Sequence, residues 1–167
     1  MSAVEVSLMS YVLQRDESKS LVWALGALVN ARATSADTGG QFEVLEYTSR
    51  AGDAAPIHAH REEAESFYIL DGEVTVLLGE EQIKTTAGSF IFISPRQAHA
   101  FRVDSPTARF LMLVMPPRLH AFFKEIGEPA PSAILAPPSD EPWDIVALTD
   151  ASERHGMEVL GPPLEME

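Results

Sequence analysis

Cysteine is absent from the 167 residues, which excludes a disulfide framework and any thiolate metal site. Basic residues are scarce: 12 Lys and Arg stand against 25 Asp and Glu, for a formal net charge of -13. A surface that acidic repels nucleic acid and anionic lipid, so neither is expected as a partner. No apolar run is long enough to span a bilayer. The stretch LVWALGALV, from Leu21 to Val29, is too short and carries Gly26. The opening MSAVEVSLMSYVLQRDESKS has an early Glu5 and no basic stretch, unlike a secretory signal. A soluble, cytoplasmic protein is the expectation. Gly-rich phosphate loops, a GxSxG elbow, a helix-turn-helix region and a fixed-period repeat are all missing.

What remains is ample for one folded domain. Hydrophobic residues make up 46% of the chain and the mean hydropathy is near zero, which argues against disorder. Short runs rich in β-branched and aromatic residues recur between turn residues. They predict strands at 21–25, 27–34, 41–49, 56–60, 65–70, 73–79, 81–86, 89–94, 99–103 and 108–115. Asp71-Gly72 reads as a hairpin turn, because glycine supplies the positive φ of a primed turn. Gly79-Glu80, Ala87-Gly88 and Asp104-Ser105-Pro106 are further breaks. Many short, evenly spaced strands point to an all-β sandwich or barrel. The character changes at Pro116-Pro117: RLHAFFKEIG (118–127) and WDIVALTDASERHG (143–156) predict helices on either side of a Pro-rich linker. The expected division is a barrel over 1–117 and a helical, Pro-rich tail over 118–167 packed on it. His120 and His155 of the tail are expected at the surface, Trp23 and Trp143 in packing.

The chemistry lies in GDAAPIHAHREEAESFYILDG, from Gly52 to Gly72. His58 and His60 stand at i and i+2, on one face of a strand. Glu65 opens the next strand with the parity of Phe67 and Ile69, and His99 follows the apolar run SFIFISPRQAH. Imidazole and carboxylate together suit divalent transition metals. One ion, chosen from Ni, Co, Mn, Fe, Zn or Cu, is expected per chain, held by His58, His60, Glu65 and His99. Glu62 and Glu63 compete for the acidic role but fall where the chain should turn.

These residues resemble the cupin superfamily. Gly52, His58-x-His60, Glu65 and Gly72 repeat the spacing of its first motif, and Gly88 and His99 fit its second. In the second motif Ser94 stands in place of proline, Arg96 in place of glycine and Val103 in place of asparagine. The resemblance covers about 38–116 and implies a double-stranded β-helix of jelly-roll type. It also implies metal binding by the two histidines, the glutamate and the last histidine. The length and tail are similar to small single-domain bacterial quercetin 2,3-dioxygenase-like proteins. That implies a metal-dependent dioxygenase (an oxidoreductase of quercetinase type) cleaving a flavonol or related enolisable aromatic with O₂. Glu65 would be the catalytic proton acceptor, and Phe67, Ile69, Phe90, Phe92, Phe101, Leu111 and Leu113 would supply the pocket. The alternatives are a metal-dependent isomerase or cyclase with Glu65 as proton shuttle, and a barrel that only binds a small molecule. A homodimer is expected to cover LVWALGALV, costly to expose.

Overall fold

The computed structural model describes residues 8–139 and 141–166; Glu5 lies outside them. Ten strands occupy the expected barrel: β1 (Ser20–Ala24), β2 (Ala27–Ala33), β3 (Glu43–Arg50), β4 (Pro56–His60), β5 (Ala64–Asp71), β6 (Glu73–Leu78), β7 (Glu81–Thr86), β8 (Phe90–Ile93), β9 (His99–Val103) and β10 (Thr107–Met115). The tail adds α1 (Leu119–Ile126), β11 (Glu128–Pro129), α2 (Ile145–Arg154) and β12 (Met157–Pro163). All pairings are antiparallel. The seven-stranded sheet runs β11-β1-β2-β3-β10-β5-β8 and the five-stranded sheet β12-β4-β9-β6-β7. Among the described residues no helix is long and apolar enough to cross a membrane.

Period-2 alternation sets which face meets the other sheet. On β3 the inward set is Glu43, Leu45, Tyr47 and Ser49, and on β10 it is Ala108, Phe110, Met112 and Val114. Leu45, Tyr47 and the four β10 residues join Phe67 and Ile69 of β5 and Val74, Val76, Phe101 and Val103 of the facing sheet in one core. The rings of Tyr47, Phe67, Phe101 and Phe110 meet at centroid distances of 5.2 to 6.0 Å, mostly tilted or edge-on, the arrangements that favour ring quadrupoles.

One turn reading changes. Asp71-Gly72 is not a hairpin: β5 pairs with β10 and β8, while β6 lies in the other sheet. Glycine here marks a corner where the chain changes sheets. Its φ is +85°, and a Cβ would sit 2.5 Å from the Thr107 carbonyl oxygen, so only glycine lets the two backbones approach this closely. The true hairpins are at Gly79-Glu80 and at Leu25-Gly26, where both φ values are positive and match a primed turn.

The tail is also more than helical. β12 pairs with β4 along one edge and β11 with β1 along another. Gly161, Pro162 and Pro163 hide β12 from a sequence reading, since proline removes a ladder donor; on an edge strand that loss is tolerated. The run LVWALGALV forms the β1–β2 hairpin, with Val22, Ala24, Ala27 and Val29 buried within the chain. Leu21, Trp23 and Leu25 of the same run stay half-exposed.

Candidate metal centre and cavity

β4 puts His58 and His60 on its inward face. β9 sets His99 directly beside His58 in register, and β5 brings Glu65 across from the facing sheet. His60, Glu65 and His99 are 3%, 2% and 0% exposed; His58 is partly open. One donor atom from each of the four lies within 4.8 Å of all the others. Ligands about 2.1 Å from a shared ion stand at most about 4.2 Å apart, so sub-ångström adjustment closes the set around one ion.

The hydrogen bonds behind the rings fix which nitrogen faces inward. His58 Nδ1 lies 2.7 Å from the Pro56 carbonyl and His99 Nδ1 2.8 Å from the Gln97 carbonyl. A carbonyl only accepts, so each Nδ1 carries the proton and each Nε2 presents a lone pair. Glu65 Oε2 then faces His60 Nε2 at 3.2 Å and His99 Nε2 at 3.1 Å. His60 Nε2 is buried without a hydrogen-bond partner. Lone pairs converging on a carboxylate need a cation among them, a proton or a metal ion, and the residues fit a divalent metal.

The titration behaviour agrees. Burial, and then the neighbouring His99 and His60, push His58 down to about 3. Burial alone would raise the Glu65 carboxyl, but the neighbouring His60 and His99 outweigh it and hold it below the usual range. Burial likewise opposes charge on His60, yet Glu65 and Glu63 lift it above its ordinary value. Glu63, which falls in the connection between β4 and β5, has a supporting place beside the centre. It is 1% exposed, 3.9 Å from His60 Nδ1 and 3.4 Å from Arg118 Nε. It ties the histidine strand to the start of α1, while Glu62 stays exposed and pairs with Arg118 at 2.6 Å.

The turn leading to His99 accommodates the unusual Arg96. Ser94 accepts from the Gln97 N–H at 3.2 Å, with Pro95 second and Arg96 third at φ +66°. This is the pattern of a type II turn, whose third position favours glycine. The Arg96 N–H donates to the His60 carbonyl at 2.7 Å, linking the turn to the metal strand.

A cavity opens from His58, His60 and Glu65. Phe67 and Phe101 line it, as does Met112; Ile69 is buried in the core beside it. Five of the seven expected pocket residues, Ile69 among them, do not line it. Phe90 and Phe92 are 65% and 58% exposed on the outer face of β8, and Leu111 and Leu113 share the outer face of β10. Arg109 has the parity of Leu111 and Leu113, and its charge marks that face as outward. The run SFIFIS is apolar on both faces, so nothing in it distinguishes Phe90 and Phe92 from the buried Ile91 and Ile93. The tail supplies the remaining wall through Leu119, Phe122, Phe123, Leu148, Ser152, Met157 and Val159. His120 is half-buried with Nε2 unpartnered, and Trp143 is 52% exposed.

The sequence and fold have clear relatives. Residues 45–116 match the cupin domain family. A quercetin 2,3-dioxygenase of Bacillus subtilis is 29% identical over 119 residues, which is 71% of this chain and 35% of that protein. The chain thus spans about a third of that relative's length. Ectoine synthase from P. lautus superposes with a TM-score of 0.58 at 21% identity, covering 80% of this chain and 98% of the other. A predicted oxalate decarboxylase from Thermotoga maritima gives 0.56 at 15%, covering 62% and 99%. An RmlC-like cupin from Shewanella frigidimarina gives 0.55 at 16%, covering 65% and 96%. These three likenesses concern the fold alone. Over residues 45–116, somewhat under half of its length, the chain is thus similar to the cupin domain family, and its two facing antiparallel sheets share the fold of these three structures.

Proposed function

We propose that the protein is a metal-dependent dioxygenase of quercetinase type, acting with O₂ on a flavonol or related enolisable aromatic. One divalent transition metal per chain would be held by His58, His60, Glu65 and His99. The observation that carries this reading is the cavity beside the donors: aromatic and aliphatic on most sides, with no Lys or Arg among the described residues that line it. Such walls suit a flat, neutral ring system. A phosphorylated or multiply anionic substrate would find no cation there beyond the centre itself. The similarity to a quercetin 2,3-dioxygenase supports the same choice.

When bound, the ion supplies Lewis acidity that lowers the pKa of a coordinating hydroxyl. The chain does the rest. Phe67, Phe101, Phe122 and Phe123 clamp the rings and exclude water. Glu65 Oε2 is the ionised carboxylate nearest the approaching hydroxyl and takes its proton. O₂ then adds to the heterocycle of the deprotonated substrate; two ring C–C bonds break, both oxygen atoms enter the ring-opened ester and the excised carbon leaves as CO.

The test is oxygen uptake. Metal-loaded protein is expected to consume O₂ stoichiometrically with quercetin. A metallated protein inert toward a panel of flavonols overturns the substrate class; turnover of such a compound under strict anaerobiosis moves the protein to isomerase or cyclase chemistry.

A further inference from the structure

The inner cavity does not end at its apolar walls. It is the smaller of two adjoining spaces, about 120 Å³ against about 990 Å³ for an outer cleft. The cleft lies between Trp23, Arg50, the Ala136–Ser139 segment and Trp143. Leu25, Asp53 and Ala54 line both spaces, so they form the junction. The metal donors line only the inner one. A ligand reaching from His58, His60 and Glu65 toward the cleft therefore passes Asp53.

Asp53 is held firmly at that junction. Its N–H donates to the Arg50 carbonyl at 3.1 Å, and its own carbonyl accepts from Val103 N–H at 2.8 Å. The Tyr47 hydroxyl, 3% exposed, donates to Asp53 Oδ2 at 2.8 Å. The polar inventory of the inner lining is one-sided. Besides the donor set it contains the side chains of Tyr47, Asp53 and Ser152. The Tyr47 proton is spent on Asp53, and the Ser152 hydroxyl donates to the Leu148 carbonyl at 2.8 Å. The Asp53 carboxylate also accepts from the Ser49 hydroxyl and the Ala54 N–H, so what these groups leave for a ligand is acceptor sites only, among them the remaining Asp53 lone pair. A well-matched ligand must bring hydrogen-bond donors of its own.

We infer that Asp53 is a specificity-determining residue: its carboxylate accepts a hydrogen bond from a ligand hydroxyl remote from the atoms that approach the histidines. It thereby selects polyhydroxylated aromatics over equally flat ones lacking that hydroxyl. The inference rests on the flavonol reading and adds to it the group that reads the far end of the substrate. Hydrogen bonds to a charged acceptor in a water-poor site are strong enough for roughly tenfold discrimination or more.

The experiment is anaerobic titration of the metal-loaded full chain with quercetin and with 3-hydroxyflavone, which keeps the chelating hydroxyl and carbonyl but lacks every other hydroxyl. Asp53→Ala is expected to weaken quercetin about tenfold and to leave 3-hydroxyflavone within about twofold, with Asp53→Asn intermediate. Tyr47→Phe removes the same internal hydrogen bond but keeps the carboxylate, and is expected to retain the preference for quercetin; thermal melting confirms that each variant is folded. Equal losses for both ligands, no loss for either, or disappearance of the preference in Tyr47→Phe overturns the assignment of Asp53. Wild-type protein that binds neither flavonol removes the proposed activity and the Asp53 anchor with it.

Discussion

One wall of the cavity carries charge and the other carries almost none. Strands β4, β5 and β9 bring three imidazoles and a carboxylate to within 4.8 Å of one another. The tail's α1, α2 and β12 contribute Leu119, Phe122, Phe123, Leu148, Met157 and Val159. The two walls are joined physically. β12 pairs with the histidine strand, Val159 opposite His58 and Met157 opposite His60. Arg118, at the start of α1, reaches Glu63 behind His60. The difference separates two tasks. The charged wall sets what chemistry is available; the apolar wall sets which molecule reaches it and keeps water out.

If the walls divide the work this way, substitutions in each should fail differently. The largest effect is expected at Glu65. Glu65→Gln removes the proton acceptor and should lower kcat by about 10²- to 10⁴-fold, while a folded, still apolar cavity continues to bind flavonol. Steady-state kinetics beside ligand titration checks this; unchanged kcat would remove Glu65 from the proton transfer. Next comes Phe123→Ala in the apolar wall. Truncating a core phenylalanine that is 5% exposed should cost about 3–5 kcal/mol of stability. Metal content per folded chain should stay unchanged, as read by denaturant melts and elemental analysis on one preparation. Loss of metal from folded Phe123→Ala protein would mean the walls are not separable.

The smallest effect concerns the seam between them. Glu43 of β3, 1% exposed, accepts from the His120 N–H at 2.9 Å and so fastens α1 to the seven-stranded sheet. Burial raises its carboxyl from 4.5 to about 6, against the pull of the His120 and Leu119 N–H groups. Because the folded value lies above the unfolded one, the group's favourable contribution is complete below pH 4.5 and is lost as the pH rises through about 6. Glu43→Gln cannot ionise. It should match wild type below that window and exceed it by about 2 kcal/mol above. Parallel melts across pH check the sign; identical pH profiles would count against a strained carboxylate at this seam.

The charged wall was legible in the sequence because its information is local. His58 and His60 share a face by parity alone, and Glu65 shares one with Phe67 and Ile69. The apolar wall was not, because its information is tertiary. Nothing in MEVLGPP announces a strand: its pairing with β4 overrides the prolines, which an edge position tolerates. Asp71-Gly72 shows the same limit. Dipeptide chemistry called for a positive φ, correctly, but whether the chain then pairs with itself or crosses to the other sheet depends on the Thr107 backbone a long way along the chain. Tyr47 and Asp53 were overlooked for a related reason. Each is ordinary in its own segment, one on a strand and one in a turn, and only their hydrogen bond at the cavity mouth gives them a role. For β10 the sequence did hold a clue: the charge of Arg109 assigns Leu111 and Leu113 to the outside and leaves Met112 to the cavity.

Elemental analysis is the most direct measurement of the central claim. The full chain would be stripped, equilibrated separately with Mn, Fe, Co, Ni, Cu and Zn, and freed of excess ion. At least one of these should remain at about one equivalent per chain, and His99→Ala should retain none while keeping its fold. Wild-type protein that emerges empty from every one of these ions, or His99→Ala protein that holds metal as well as wild type does, would contradict the account.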